Sequence, residues 1–245
     1  MEGEWDEADP VAESRWMNGI AAAHGRPNAH VARAFLDRSD VADVLAGHAA
    51  FPLVRGIRHK PAAAPSPDRI ECAALGSMAD PAWRRGYGRL KDHGFHFELQ
   101  APWWHVEELL DLIAEHPETA VVINHTFLPA DRSADGLAGW RAALKRAASA
   151  PQVAIKISGI GLKGRPWRLD DNRTIIAAAI ETFGMDRCLF ASNFPVDGLC
   201  GSFDTIYGGY KAATADLPRA DRLKLFHDNA IRVYRLLPAP ASVHG

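Results

Sequence analysis

Short apolar runs alternate with longer amphipathic segments along almost the whole chain. Six of these runs have the length and composition of β-strands, and they span residues 28–36, 53–59, 95–100, 120–123, 152–158 and 188–191. Strict alternation of strands and helices predicts parallel strands joined by helical crossovers. We therefore expect an α/β fold, either a (β/α)8-type barrel or an open doubly wound sheet.

Two of the amphipathic segments open with the same helix-start signal, an aspartate followed by proline. Asp9-Pro10 predicts a helix that runs to about Gly25, and Asp80-Pro81 predicts one that ends near Gly94. Further helices are expected to begin at Ser39-Asp40 and at Pro102. The remaining predicted helices cover residues 136–150, 170–183 and, as terminal helices, 219–237.

Composition narrows the class of protein. A length of 245 residues and a hydrophobic share of 47% suit one globular domain over residues 1–245. The formal net charge of −2 gives no reason to expect nucleic acid as a partner, and no apolar run approaches the length of a membrane span. Three cysteines without paired spacing fit a reducing, cytoplasmic setting. A nucleotide-binding fold is not expected, because no glycine-rich phosphate-binding motif follows a predicted strand.

Polar side chains recur where the predicted strands end. Because parallel strands share one carboxyl-terminal face, these side chains are expected to meet there. The set comprises Arg58, His59, Glu98, Gln100, Asn124, His125, Lys156, Ser158, Ser192 and Asn193. Any single member can simply mark the end of a strand. The charged members lie beside apolar residues, however, and a charge in such surroundings needs a partner or a ligand.

Within this set, His125 is the best single candidate for a general base or a metal ligand, because histidine titrates near neutral pH. A core histidine with its hydrogen bonds satisfied is the alternative. Arg58 is suited to grip a substrate carboxylate or oxyanion with two hydrogen bonds. Glu98 and Lys156 either contact substrate or pair with each other.

Five motifs, taken together and in order, resemble the amidohydrolase-related family of TIM-barrel hydrolases. They are Val54-Arg55-Gly56-Ile57-Arg58-His59, Phe97-Glu98-Leu99-Gln100, Val121-Val122-Ile123-Asn124-His125, Ile155-Lys156-Ile157-Ser158-Gly159 and Leu189-Phe190-Ala191-Ser192-Asn193-Phe194-Pro195. The ending Leu225 to Leu236 is also similar to that family's last helix. Within the family, the branch of sugar-lactone and dicarboxylate-lactone hydrolases is the most similar.

The resemblance implies a parallel (β/α)8 TIM-barrel type of fold and the hydrolysis of a small lactone or ester. Because the polar residues are expected to converge on one face of such a barrel, we predict catalytic roles for His125, Asn193, Lys156 and Asp197. Substrate contacts are predicted for Arg58, His59, Glu98, Gln100 and Ser158. Arg58 and Lys156 would bind a carboxylate or polarise the carbonyl, His125 would orient or activate water, and Asn193 would hold that water. Asp197 is a candidate general base.

The chain also departs from the family pattern. The family's first strand normally ends in His-x-His, and no His-x-His occurs in this sequence. Since Met1 to Asp9 is similar to the end of the second strand, we expect the first β/α unit to be absent. Asn193 stands where the wider superfamily has a metal-binding aspartate, and Gln100 where metal-dependent relatives often have histidine. Side-chain amides are poor ligands for divalent metal ions such as zinc. We therefore predict catalysis without a cofactor, and a divalent metal such as zinc is the alternative.

Two other functions remain open at this point. A barrel without its first unit has two unpaired strand edges, so the chain could be a catalytically impaired remnant or a binding module that forms homo-oligomers through those edges. A metal-dependent decarboxylase of the same superfamily would use the barrel similarly. In every case the expected ligand is a small molecule.

Overall fold

The computed structural model describes Gly3 and residues 5–236, and these residues contain a six-stranded parallel sheet. The strands are β1 (His30–Arg33), β2 (Val54–Arg58), β3 (His96–Leu99), β4 (Val121–Ile123), β5 (Val153–Ile157) and β6 (Cys188–Phe190). Each strand pairs in parallel with the next strand along the chain. Sequential order is that of a (β/α)8 barrel, whereas a doubly wound sheet reverses its order at a switch point. The predicted barrel-type fold is therefore confirmed.

Nine helices accompany the strands in the described residues. They are α1 (Ala12–His24), α2 (Val41–Ala49), α3 (Pro81–Tyr87), α4 (Val106–Glu115), α5 (Ala134–Ala148), α6 (Leu169–Phe183), α7 (Phe203–Ala213), α8 (Arg219–Leu223) and α9 (Asn229–Tyr234). Helices α2 to α6 form the crossovers from each strand to the next. A π-helical turn at Lys224–Asp228 connects α8 directly to α9. No helix among residues 5–236 combines the length and the apolarity needed to cross a bilayer.

The two faces of the sheet differ in chemistry. Alternate strand residues such as Ile57, Phe97, Ile123 and Ile155 are fully buried against the helices in the hydrophobic core. The other face is the barrel interior, and it carries Arg58, Glu98 and Lys156, all of them buried. Because side chains alternate along a strand, the same short segments supply both the apolar core and the polar interior.

Several predicted element boundaries need correction. The first strand covers only residues 30–33 of the predicted 28–36, and α1 begins at Ala12 with Pro10 in the preceding turn. The helix that begins at Pro81 ends at Tyr87 and is followed by a separate 3₁₀ turn. Helix α7 was not predicted at all. The part of the terminal helix predicted at residue 237 lies outside the described residues, as do Met1, Glu2 and Glu4 of the amino-terminal segment.

Candidate active site

A buried ion pair lies at the centre of the barrel interior. Lys156 Nζ donates to Glu98 Oε2 at 2.8 Å, and the Tyr234 hydroxyl donates to Glu98 Oε1 at 2.7 Å. Burial alone would raise the pKa of Glu98, but the ammonium of Lys156 and the neighbouring His96 keep that pKa below its usual value. Burial lowers the pKa of Lys156, and the carboxylate of Glu98 opposes this shift. Glu98 is therefore an anion whose two oxygens are both occupied.

Arg58 lies on the same interior face, one strand away from Glu98. Its backbone is in register with Glu98, and its Nη1 donates to Gln100 Oε1 at 3.2 Å. Its guanidinium is close enough to lower the pKa of His125. Arg58, Lys156 and His125 thus share one electropositive region, which suits an anionic substrate group or a developing oxyanion.

His125 begins a left-handed turn directly after β4. Four consecutive residues, His125, Thr126, Phe127 and Leu128, have φ between 52° and 62°. Left-handed helical backbone costs about 1–2 kcal/mol for each non-glycine residue, so surrounding contacts must hold this turn in place. Strain of this kind is typical of functional sites.

The contacts that hold the turn come mainly from the neighbouring strand end. The Thr126 hydroxyl donates to Ser158 O at 3.1 Å and accepts from Ser158 N at 3.2 Å, and Trp140 Nε1 donates to Thr126 O at 2.8 Å. His125 Nδ1 lies 3.1 Å from Ser158 Oγ. This network locks the turn to the end of β5 and fixes the direction of the imidazole.

Two features determine the chemistry of His125. Burial, reinforced by the charges of Lys156 and Arg58, lowers its pKa to about 4. The ring is therefore neutral at physiological pH and can accept a proton or a hydrogen bond. Gly159 lies against the ring, and an added Cβ there would stand 2.7 Å from Nδ1. The glycine makes room for the imidazole.

The loop after β6 brings Asn193 and Asp197 together. Asn193 adopts a left-handed backbone with φ 52°, and its Nδ2 donates to Asp197 Oδ1 at 2.7 Å. Burial raises the pKa of Asp197, while the Asn193 amide and the backbone of Gly161 oppose that shift. Asp197 is thus a partly desolvated carboxylate held by the Asn193 amide and the Gly161 backbone, and a carboxylate of this kind can accept a proton.

A cavity of about 270 Å³ lies at the carboxyl-terminal end of the strands. Its polar lining combines His125, Lys156, Ser158 and Asn193, all four of which were predicted as site residues. Phe194 and Leu189 supply apolar walls, and Tyr234 also lines it. The structure thus brings three of the four predicted catalytic residues, His125, Lys156 and Asn193, to one small pocket. Asp197 is not among its lining residues and contacts it through Asn193.

A larger cavity of about 490 Å³ lies at the opposite end of the strands and has a different character. Arg187 and Arg235, which line it, donate to backbone carbonyls of Ala150, Val153, Gly94 and Arg55. These arginines stabilise the amino-terminal strand ends, and active sites of such barrels lie at the other, carboxyl-terminal end. The carboxyl-terminal cavity is the candidate active site.

Three predicted residues have other partners in the structure. His59 Nδ1 accepts from Leu36 N at 3.0 Å, and the ring stacks on Trp83, so His59 connects β1 to β2 in the packed layer. Burial lowers the pKa of His59 to about 4. Glu98 is occupied by Lys156 and Tyr234, and Gln100 accepts from Arg58. Direct substrate contacts by these three residues stay predictions.

The described donors do not fit a bound divalent cation. Among residues 5–236, no three His, Cys, Asp or Glu side chains form a group that could hold a metal ion. The imidazole of His125 has Ser158 as its neighbour and two cations nearby, and Asp197 is paired with the amide of Asn193. A cationic surrounding and a neutral amide are both unfavourable for metal binding.

Sequence reasoning missed two residues of the site. Tyr234 lies 136 residues from Glu98 along the chain, and its helical position is equally typical of a core tyrosine. Thr126 follows His125 directly, but no sequence signal indicates the left-handed turn that turns its hydroxyl toward Ser158. Thr126 could have been found only as a polar residue adjacent to a candidate base.

The sequence is similar to a family model and to proteins of two bacteria. The family model described as amidohydrolase matches residues 2–236. An uncharacterized protein of Sinorhizobium fredii is 37% identical over 95% of this chain and 78% of its own length. An L-fucono-1,5-lactonase of Burkholderia multivorans is 31% identical over 77% of this chain, and the match spans 64% of the lactonase.

A solved structure extends the likeness to the fold. The amidohydrolase from Burkholderia multivorans with bound zinc superposes with a TM-score of 0.77 at 25% identity, covering 92% of this chain and 80% of that one. The match to the family model covers nearly all of the residues in which the barrel and its pocket lie. This chain therefore belongs to the amidohydrolase family of hydrolases.

Proposed function

We propose that this protein opens a small lactone, or cleaves a related ester, by addition of water to the carbonyl carbon. The observation that carries the proposal is the 270 Å³ pocket, which is lined by His125 with a neutral imidazole, by Lys156 and by Asn193. Similarity to an L-fucono-1,5-lactonase supports a lactone as the substrate class. A carboxylated or polyhydroxylated lactone would suit the positive charges of Lys156 and Arg58.

The proposed steps follow from the placement of these groups. Lys156 donates to the carbonyl oxygen of the substrate and stabilises the negative charge that develops there. His125, neutral at working pH, accepts a proton from water as the water oxygen bonds to the carbonyl carbon. Collapse of the tetrahedral species breaks the ring C–O bond, and the proton passes to the leaving alkoxide. The product is a hydroxy acid.

Asn193, which lines the pocket, and Asp197, which holds it from behind, have the remaining roles in the proposal. The amide of Asn193 is anchored to Asp197 at 2.7 Å, which leaves its carbonyl oxygen to orient the attacking water. Asp197 serves as a second proton acceptor beyond the amide. Arg58 is not among the residues that line the cavity, but its charge acts on His125, and in the proposal it attracts a carboxylate substituent of the substrate.

The experiment that tests the proposal is a pH-stat assay of the wild-type protein with L-fucono-1,5-lactone and a panel of carboxylated lactones. Opening of a lactone releases one proton for each molecule converted at neutral pH. We expect proton release from at least one of these lactones far above the spontaneous rate. Release of carbon dioxide from a carboxylated aromatic acid, with no lactone opened, would contradict the proposal.

A further inference from the structure

Tyr234 reaches the barrel interior from the end of the last helix. Asn229 at the start of α9 donates to Met185 O and Cys188 O, each at 2.7 Å. Arg235, immediately after Tyr234, donates to Gly94 O and Arg55 O, each also at 2.7 Å. These two anchors hold the helix on the sheet through side chains other than the tyrosine. The hydroxyl of Tyr234 is therefore available for another task.

That hydroxyl completes the hydrogen bonding of Glu98. Glu98 is fully buried, and its Oε1 accepts from Tyr234 at 2.7 Å while its Oε2 accepts from Lys156 at 2.8 Å. His96 packs edge-on against the tyrosine ring, with its Nε2 3.4 Å from Oε1. A carboxylate with a separate donor on each oxygen has one strongly preferred orientation.

Lys156 is the point at which this network meets the pocket. Its ammonium lies 5.4 Å from the centre of the Tyr234 ring and lines the same cavity as His125. A lysine side chain has many rotamers, and its position is set by the groups that hold its head. Here those groups are the carboxylate of Glu98 and the ring of Tyr234.

We propose that Tyr234 is a positioning residue, whose hydroxyl fixes the orientation of Glu98 so that Glu98 presents the Lys156 ammonium to an oxygen of the substrate. The inference rests on the proposed function for the identity of that oxygen. Loss of the hydroxyl leaves Oε1 with only the more distant His96 Nε2, at 3.4 Å, and Glu98 then rotates and draws the ammonium away from the pocket. A displacement of this kind lowers kcat more than it weakens the binding of substrate.

The test compares Tyr234→Phe with Tyr207→Phe. The first variant keeps the aromatic ring beside Lys156 and His96 and removes only the donor to Glu98. Tyr207 is half-buried and stacks on Phe203, and its ring lies outside the lining of the pocket. Tyr207→Phe is therefore the control variant, because it also removes one phenolic hydroxyl from an aromatic cluster but does so away from the pocket.

Two readouts are measured on both variants. The first is the ¹H–¹⁵N signal of the Lys156 ammonium, assigned by its disappearance in Lys156→Met. We expect Tyr234→Phe to shift that signal and Tyr207→Phe to leave it in place. The second is lactone opening, for which Tyr234→Phe should lower kcat about tenfold with KM nearly unchanged.

An unshifted Lys156 signal in Tyr234→Phe overturns the inference, whether or not the wild type opens a lactone. A shifted signal with unchanged kcat overturns it as well, because the ammonium would then have moved without consequence. If the signal shifts and the wild type opens no lactone, the proposed function is what fails. The shift would still support control of the Lys156 position by Tyr234.

Discussion

At the scale of single residues, Gly159 decides whether the His125 ring can occupy its place. Gly159 has φ 60°, and an added Cβ would meet the imidazole at 2.7 Å. Gly164 in the same loop has φ 74°, and an added Cβ there would meet nothing within 4 Å. Both alanine variants incur similar backbone strain. The difference between their activities therefore reports the displacement of the His125 ring alone.

We expect Gly159→Ala to lower kcat/KM for lactone opening by about 10- to 100-fold, since small displacements of a catalytic group have effects of this size. Gly164→Ala should stay within about twofold of the wild type. Steady-state kinetics on both variants checks this expectation. Equal activities in the two variants would mean that the position of His125 does not matter for turnover.

His30 makes the stability of the protein depend on pH. The residue is 1% exposed, and neither ring nitrogen has a hydrogen-bond partner in the part of the chain that the structure describes. Burial, with a smaller contribution from the charge of His48, lowers its pKa to about 3. Between pH 6.5 and pH 3 the unfolded state binds more protons at this site, so stability falls as the pH falls.

His30→Leu should remove this contribution. Relative to the wild type, the loss in free energy of unfolding between pH 8 and pH 5 should shrink by about 2 kcal/mol. His24→Leu, at an exposed helix end, should leave the pH dependence as it is. Urea denaturation at the two pH values measures the difference. Parallel curves for the wild type and His30→Leu would show that His30 is not buried in its neutral form.

At the scale of elements, the left-handed turn after β4 depends on one threonine. The Thr126 hydroxyl both donates to and accepts from the Ser158 backbone, and both residues are fully buried. Thr119 is also buried, at 2% exposure, but its hydroxyl has no partner among the described residues. Valine has the shape of threonine without the hydroxyl, so the two positions form a matched pair.

Thr126→Val should lower the free energy of unfolding by about 1–3 kcal/mol, because it leaves buried backbone groups of Ser158 without a partner. Thr119→Val should be neutral or slightly stabilising. Thermal or urea unfolding distinguishes the two variants. The same loss in both would show that the hydroxyl of Thr126 does not hold the turn.

The elements also show what the sequence could predict and what it could not. Strands such as Val153–Ile157 are near-continuous apolar runs, so their existence and order were predictable from the pattern. Helix α7 escaped prediction because glycines and aromatics, as in Gly208-Gly209-Tyr210, interrupt its apolar period. Gly209 is instead required by packing, since an added Cβ would lie 2.0 Å from the Trp167 ring. Local patterns do not show such contacts.

Part of the candidate site was also predictable from the pattern of strands. His125, Lys156, Ser158 and Asn193 lie at or within three residues of the carboxyl ends of three parallel strands, so topology alone brings them to one pocket. Tyr234 was not predictable, because its contact with Glu98 depends on how the last helix docks across the open barrel. His59 was predicted to contact substrate only because it is a polar residue at a strand end. In the structure it faces the packed layer and accepts from Leu36 N.

At the scale of the whole molecule, the sheet has two edges. Within residues 5–236, β1 and β6 each pair with one neighbouring strand only. Apolar side chains are exposed beside the end of β6, including Leu199 at 88% and Val196 at 62%. Unpaired edges beside exposed apolar groups favour association with another chain. We therefore propose that this chain self-associates.

Light scattering coupled to gel filtration checks this proposal. The mass of one chain is 26.7 kDa, and we expect species of at least twice that mass, with a share that grows with protein concentration. Dissociated protein should bind a hydrophobic dye more strongly than the associated form. A single species of 26.7 kDa at every concentration, without dye binding, would contradict the proposal.

The whole account depends on His125 as the neutral base of a hydrolytic pocket. The measurement that tests this most directly is kcat/KM for lactone opening by the wild type, His125→Ala and the surface control His24→Ala. We predict a decrease of at least about 100-fold in His125→Ala, the usual contribution of a general base, and none in His24→Ala. Wild-type turnover in a folded His125→Ala protein would remove His125 from the mechanism and contradict the account.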